Sequence, residues 1–304
     1  MINFNAKTAL FSLGLFLFVV PTYAKSIALS FDDGLNPAVN VQATQINTNI
    51  LEQLKKHNIQ SIIFPSLIKI GDYQGKELIR SWGLAGHIIA NHSADHFNLN
   101  KTDVTVQNYI KSIQIADTVL KDLPNYQLIY RFPFLKEGNT AEKRDQVKHW
   151  LHEHNYQVGA VSIDASDWFY NRKYLDYTKQ ADKEKLSRLK QAYIQHLLDR
   201  AEYYDQLALT SMQRSPKHIL LLHTNAINGA YLEDVILAFQ THGWDIISAE
   251  HAFQDPLYLQ LSQNIPAGES IIWSIAKSQG NQTLRYPAED APYEIDNLKR
   301  FDLD

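Results

Sequence analysis

The 304-residue chain contains no cysteine and only two methionines. Without cysteine it has no disulfide framework, no thiolate nucleophile and no sulfur ligand for a metal, so any exported form is stabilised by its core alone, which this length allows. Charge of one sign is also lacking. Twenty-nine Lys and Arg against 33 Asp and Glu give a formal charge of −4. With no long basic run, a nucleic-acid polyanion is excluded as the expected partner, and nothing points to a membrane surface. No internal repeat or low-complexity segment occurs. The one long apolar run is Ala9 to Val20, 12 residues, short for a bilayer span. Lys7 precedes it and Thr22-Tyr23-Ala24 supplies small residues for cleavage, so 1–24 reads as a secretory signal peptide, with an uncleaved anchor as the alternative. Its removal takes away one Lys and no acid and leaves −5. The expectation is an exported chain, periplasmic or secreted, monomeric, with no stable membrane insertion once the leader is removed.

Beyond residue 25, strand-like and helix-like stretches alternate. Ser26–Phe31, Ile59–Phe64, His87–Ala90, Leu128–Phe132, Val158–Ile163, His218–Leu222 and Trp244–Ile247 read as strands. Ala43–Asn58, Gln74–Leu84, Val104–Leu120, Thr140–Asn155 and Ala230–Thr241 read as helices. This alternation implies parallel strands with helical crossovers, and seven strands suit a barrel better than an open sheet. Asp32 and Asp33, His92, Arg131, Asp164 and Asp167, and His223 all fall at or just past the C-terminal ends of these strands, the face on which parallel barrels build active sites. Two regions interrupt the pattern. Phe169–Ser215 is an insertion with helical spacing from Leu186 onward and six of the sixteen tyrosines, which either pack the helix or stack on sugar rings. After Asp255 comes an extension in which Ser270–Ala276 is apolar enough for an edge strand and Arg285–Asp304 reads as a surface-wrapping tail.

The chemistry is concentrated in Asp32-Asp33 and, 59 residues after Asp33, His92 and His96. One Asp and two His hold a divalent ion and leave a position open, as catalytic rather than structural sites do. The second Asp is then free to serve as a base on the attacking water. Two imidazoles and a carboxylate suit Zn²⁺, with Co²⁺ or Ni²⁺ also compatible. His87 reads as a barrel hydrogen-bonding residue, and His149, His152 and His154 as solvated.

Five ordered motifs carry a resemblance: Phe31-Asp32-Asp33-Gly34; Gly86-His87-Ile88-Ile89-Ala90-Asn91-His92-Ser93-Ala94-Asp95-His96; Arg131-Phe132-Pro133-Phe134; Asp164-Ala165-Ser166-Asp167-Trp168; and Ile219-Leu220-Leu221-Leu222-His223. Over Lys25 to Phe253 the chain resembles the polysaccharide deacetylases with a NodB-type domain, carbohydrate esterase family 4. The resemblance implies an α/β fold, a distorted (β/α)7 TIM-like barrel. The domain would span 25–255 with the helical insertion at 169–215, followed by a C-terminal extension, 256–304, packed on the barrel. It implies metal binding by Asp33, His92 and His96; Asp32 as base, held by Arg131; His223 as acid, tuned by Asp167; oxyanion contact from the Phe134 backbone; and an acetyl pocket lined by Trp168 and Leu221. The implied reaction is removal of N-acetyl groups from an N-acetylglucosamine-containing polysaccharide or oligosaccharide. An O-acetyl esterase of the acetylxylan type and a non-catalytic carbohydrate-binding barrel are the alternatives; metal-free hydrolysis of small nitrogenous rings has no use for the two histidines. The chain departs from the family pattern at Leu35-Asn36, where Pro is usual, at Phe134, where Tyr is commoner, and at Thr224-Asn225, where an acid usually follows the histidine.

Overall fold

A computed structural model describes residues 25–285 and 291–303. The leader read at 1–24 lies outside the described residues.

The core strand is β1 (Lys25–Asp33), buried from Ile27 to Asp32 on both faces, as a central parallel strand must be. The chain then alternates: α1 (Ala43–Lys56), β2 (Ile62–Pro65), the short α2 (Leu67–Ile70), α3 (Tyr73–Leu84), β3 (Ile88–Asn91), α4 (Val106–Leu120), β4 (Tyr126–Tyr130), β5 (Lys136–Gly138), α5 (Ala141–Glu153) and β6 (Gln157–Val158). The crossover helices form for local reasons. Ile46, Ile50 and Leu54 make the buried stripe of α1. Thr105 and Thr140 cap α4 and α5 by accepting the Asn108 and Lys143 N–H groups. Two insertion helices follow, α6 (Asp167–Lys179) and α7 (Lys183–Met212), then β7 (Lys217–His223), α8 (Ala226–Thr241), β8 (Trp244–Ile246) and α9 (Ala249–Phe253). The extension contributes β9 (Ala267–Gly268), α10 (Ile271–Ser278) and α11 (Ala291–Lys299).

The sheet runs β6-β4-β3-β2-β1-β7, all parallel, with β8 pairing the start of β1. The ring closes through an isolated parallel bridge between Ile163 and Leu220, in which the Leu221 N–H donates to the Ile163 carbonyl. This is the expected distorted α/β barrel. The register then sets the site: Asp32 on β1 is directly level with His223 on β7, and with Phe64 on β2.

Three stretches differ from expectation. The strand expected over Val158–Ile163 shrinks to Gln157–Val158, because the chain leaves β4 at Gly159 and crosses to β7. Ser270–Ala276 is not a strand: α10 occupies it, with Ile271, Ile272, Trp273, Ser274 and Ala276 buried. An apolar run with no period fits a buried helix as well as a strand, and the edge pairing is made instead by Ala267–Gly268 against β5. The insertion holds, besides the helix expected from Leu186 onward, a second one ahead of it that begins at Asp167. Of the insertion's six tyrosines, Tyr170, Tyr177, Tyr193 and Tyr204 are buried, and Tyr174 and Tyr203 pack half-buried against the core.

Gly159 shows how tightly the closure is packed. Its carbonyl accepts the Arg131 Nε–H at 2.8 Å, and a Cβ placed on it would lie 2.6 Å from the buried Phe64 ring. That ring in turn stacks under the Arg131 guanidinium at 3.9 Å. Gly159→Ala is therefore expected to destabilise the chain by about 1–3 kcal/mol through overpacking; a denaturant midpoint unchanged from the wild type would refute this.

Candidate active site

The strand ends converge on a cavity of about 530 Å³ lined by Asp32, Asp33, His92, His96, Phe134, Trp168, Leu221 and His223, together with Lys69, Asn98, Asn171 and Asn225. Of the ten site residues expected from the sequence, eight line this cavity. Arg131 and Asp167 sit directly behind it, Arg131 holding Asp32 and His92 and Asp167 holding His223.

Asp33, His92 and His96 each offer a ligand atom, all within 4.8 Å of one another. His92 is fixed by its Nδ1, 2.8 Å from the Arg131 carbonyl oxygen. A carbonyl only accepts, so Nδ1 carries the hydrogen and Nε2 presents its lone pair to the site, the orientation that metal-ligating histidines need. Burial pushes the His92 imidazole down to about 4, against the opposing pull of Asp32, which keeps it neutral and ready to ligate. Asp33 Oδ1 is buried and accepts no hydrogen bond among the described residues, although it faces His96 Nε2 at 3.2 Å. Burial raises the Asp33 carboxyl, but contact with His96 and the charges of His223, His96 and His92 outweigh it and hold the group well below the usual carboxylate range. An orphaned anionic oxygen facing two imidazole nitrogens fits a divalent cation.

The general-base candidate is tied from behind. Arg131 is fully buried; its Nη1 donates to Asp32 Oδ1 at 2.7 Å and to Ser30 Oγ at 2.9 Å. The other oxygen, Oδ2, faces the cavity side, 3.6 Å from His92 Nε2. Opposite, His223 Nδ1 lies 2.7 Å from Asp167 Oδ1. Asp167 Oδ2 accepts three more hydrogen bonds, from the His223 backbone N–H and from the side-chain amides of Asn225 and Asn228, at 2.7, 2.8 and 2.9 Å. Burial alone would lower the His223 imidazole; the charge and hydrogen bond of Asp167 overcome it and raise the group to about 10. One titratable group is thus biased toward imidazolium beside a carboxylate held by a guanidinium, the pattern of a paired acid and base.

Phe134, with φ 57°, turns its ring edge-on to His96 at 4.6 Å. Trp168 lies under Arg172, whose guanidinium is 4.9 Å from the indole ring. His87 accepts the Ser61 N–H and is buried, and His149, His152 and His154 are exposed, as expected.

Three contributors were missed in the sequence. Lys69 Nζ lies 3.3 Å from Asp33 Oδ2. Asn225 and Asn228 hold Asp167, and the departure at Thr224-Asn225 is thereby explained: Asn225 both caps α8 and supplies an N–H to the buried carboxylate. An Asn at a helix start followed by another three residues on was the available signal. A second His-centred array, Ser162–His218–Asp205, has contacts of 3.1 and 3.2 Å but is 0–1% exposed, so it is packing rather than a nucleophile site.

The chain is similar to known proteins in sequence and in fold. The polysaccharide deacetylase family model matches residues 20–159. The chain is 29% identical over 154 residues to the peptidoglycan-N-acetylglucosamine deacetylase of Bacillus cereus, covering 50% of each. It is 30% identical over 145 residues to the peptidoglycan-N-acetylmuramic acid deacetylase PdaC of Bacillus subtilis, covering 47% of this chain and 27% of that one. The matches thus span half or less of those relatives' length. Among solved structures, a family 4 carbohydrate esterase from Bacillus subtilis superposes with TM-score 0.51 at 20% identity, over 75% of this chain and 80% of that one. A pseudoenzyme of the same family from Bacillus anthracis gives 0.53 at 13%, over 76% and 66%. The structures share the fold, and over residues 20–159 the chain is similar to the polysaccharide deacetylase family.

Proposed function

We propose that this chain is a metal-dependent hydrolase that removes N-acetyl groups from N-acetylglucosamine units of a glycan outside the cytoplasm, as a peptidoglycan deacetylase does. The observation that supports it most is the pairing of Asp32 and His223 across adjacent strands, over a cavity that also holds the Asp33–His92–His96 donor set.

A divalent cation bound by those three side chains, Zn²⁺ by the donor chemistry, supplies Lewis acidity toward the acetyl carbonyl and acidifies water. The protein does the rest. Asp32, its Oδ1 committed to Arg131, takes the proton of the attacking water at Oδ2. The hydroxyl adds to the carbonyl carbon and the C–N bond breaks. His223, its Nδ1 committed to Asp167, donates a proton from Nε2 to the leaving amine, which cannot depart as an anion. Trp168 and Leu221 give the acetyl methyl an apolar wall, and the Phe134 backbone N–H stabilises the oxyanion.

The test is acetate release from N-acetylglucosamine oligomers and from acetylxylan, with metal analysis of each variant. Asp32→Asn, which keeps an acceptor oxygen for Arg131, is expected to retain metal and lose about 10²–10⁴ in rate. His92→Ala should lose both metal and activity, and chelation should abolish turnover reversibly. Release from acetylxylan alone would reject the N-deacetylase reading, sugar binding without release under added Zn²⁺ would favour the non-catalytic barrel, and full activity in either folded variant would reject that residue's role.

The raised His223 imidazole gives a pH prediction for the metal-free chain. A group whose folded value exceeds its unfolded 6.5 stabilises fully below that pH, and the contribution is lost as pH rises through about 10. Unfolding free energy is expected to fall between pH 6.5 and 10, and to fall less in Asp167→Asn. Identical slopes in the two proteins would contradict the pairing.

A further inference from the structure

The acid's partner, Asp167, is the first residue of α6, yet the Ser166 side chain makes no capping hydrogen bond to that helix. The helix entry is held from outside. The Ser166 backbone N–H donates to His196 Nε2 on α7 at 3.1 Å, and His196 Nδ1 lies 2.9 Å from Glu294 Oε2 on α11. These two contacts fix the ring's state. An Nε2 that accepts from an amide carries no hydrogen, so the ring is neutral with its hydrogen on Nδ1, donated to Glu294. Glu294 is itself 1% exposed and accepts from Arg200 Nη2 and from the Tyr170 hydroxyl on α6. Asn297, one turn further along α11, donates to the same Tyr170 hydroxyl at 2.6 Å.

We propose that Glu294 and His196 are positioning residues for proton donation: the C-terminal extension, through His196, sets the Ser166–Asp167 backbone and so aims the His223 imidazole. This rests on reading His223 as the acid. The chain of contacts is Glu294 to His196, His196 to the Ser166 N–H, and Asp167 to both the ring and the backbone of His223. Glu294, His196, Ser166 and Asp167 are buried, where a hydrogen bond is strongest and its loss least compensated by water, and only His223 at the end of the chain of contacts is partly exposed to the cavity. Burial also pushes the His196 imidazole down, which agrees with the neutral ring that the geometry demands. The proposal assigns a working role to α11, which lies far beyond the residues matched by the family model.

The experiment uses the full chain with four substitutions. His196→Phe removes the acceptor for Ser166 at similar volume, whereas His196→Gln restores a side-chain oxygen near the Nε2 position. Glu294→Ala removes the acceptor for the His196 ring, and Glu294→Gln keeps one. Two quantities are read: kcat and KM for acetate release from an N-acetylglucosamine tetramer, and the NMR resonance of the His223 Nδ1–H proton in the metal-free chain. His196→Phe and Glu294→Ala are expected to lower kcat about 10–100-fold with KM little changed, the scale of outer-shell losses. Both should also shift or broaden the His223 resonance, and the two Gln variants should recover most of each. A folded His196→Phe or Glu294→Ala with wild-type kcat and an unmoved resonance would overturn the proposal. So would Gln variants as impaired as their partners, because packing alone would then be at stake. Should His196→Phe fail to fold, the Glu294 pair decides by the same criteria. A wild-type chain that releases no acetate would sink the deacetylase reading and leave the resonance to judge the positioning link.

Discussion

The buried Arg131 guanidinium is the contact on which the structure turns. It sits at the end of β4, stacks on Phe64 of β2, donates to Asp32 and Ser30 of β1, and closes onto Gly159 where the chain departs for the far side of the barrel. Ser30 passes the connection on to the Leu220 carbonyl of β7. A cation with no access to solvent is costly unless a carboxylate meets it, and removing either partner of such a pair costs roughly 3–5 kcal/mol. Asp32 meets the barrel's buried cation with Oδ1 and leaves Oδ2 on the cavity side, where the proposed base role needs it.

Backbone conformation is concentrated around the same spot. Asp33, Ser93, His96, Phe134 and Leu135 all have φ between 54° and 81°, a region that non-glycine residues seldom occupy. Asp33 ends β1 and the other four follow the C-terminal ends of β3 and β4, and all but Ser93 line the cavity. Such conformations persist only where neighbouring contacts over-determine them. Here the neighbours are identifiable: the Asn91 side chain accepts the Ser93 N–H, Ser93 Oγ accepts the His96 N–H, and the His96 ring meets Phe134.

How much of this was legible beforehand follows from how local each signal is. Asp32, Asp33, His92 and His96 could be read because strand-end placement and ligand spacing are properties of short segments. The crossover helices could be read from their buried stripes and caps. The Arg131–Asp32 and Asp167–His223 pairings came only through the family resemblance, since Arg131 reaches Asp32 across 99 positions and no periodicity encodes such a meeting. The His196–Glu294 contact, across 98 positions, had no sequence signal at all. Asn225 was visible only as an unusual neighbour of His223, because its task is defined by a carboxylate 58 residues earlier. Ser270–Ala276 is too short and too uniformly apolar, with Ser274 its one internal polar residue, to carry a phase that separates helix from strand, and only packing against α7 decides that it coils.

The level pairing of Asp32 with His223 has one further consequence. Adjacent strands are about 4.8 Å apart whatever side chains they bear, so the gauge between the proposed proton acceptor and proton donor is written into the amide ladder. Loops at the rim are free to diverge, lengthen or be exchanged, which under the proposed function would alter which polymer docks, while that gauge stays constant. Remodelling the rim is in this sense a change of clientele and not of machinery.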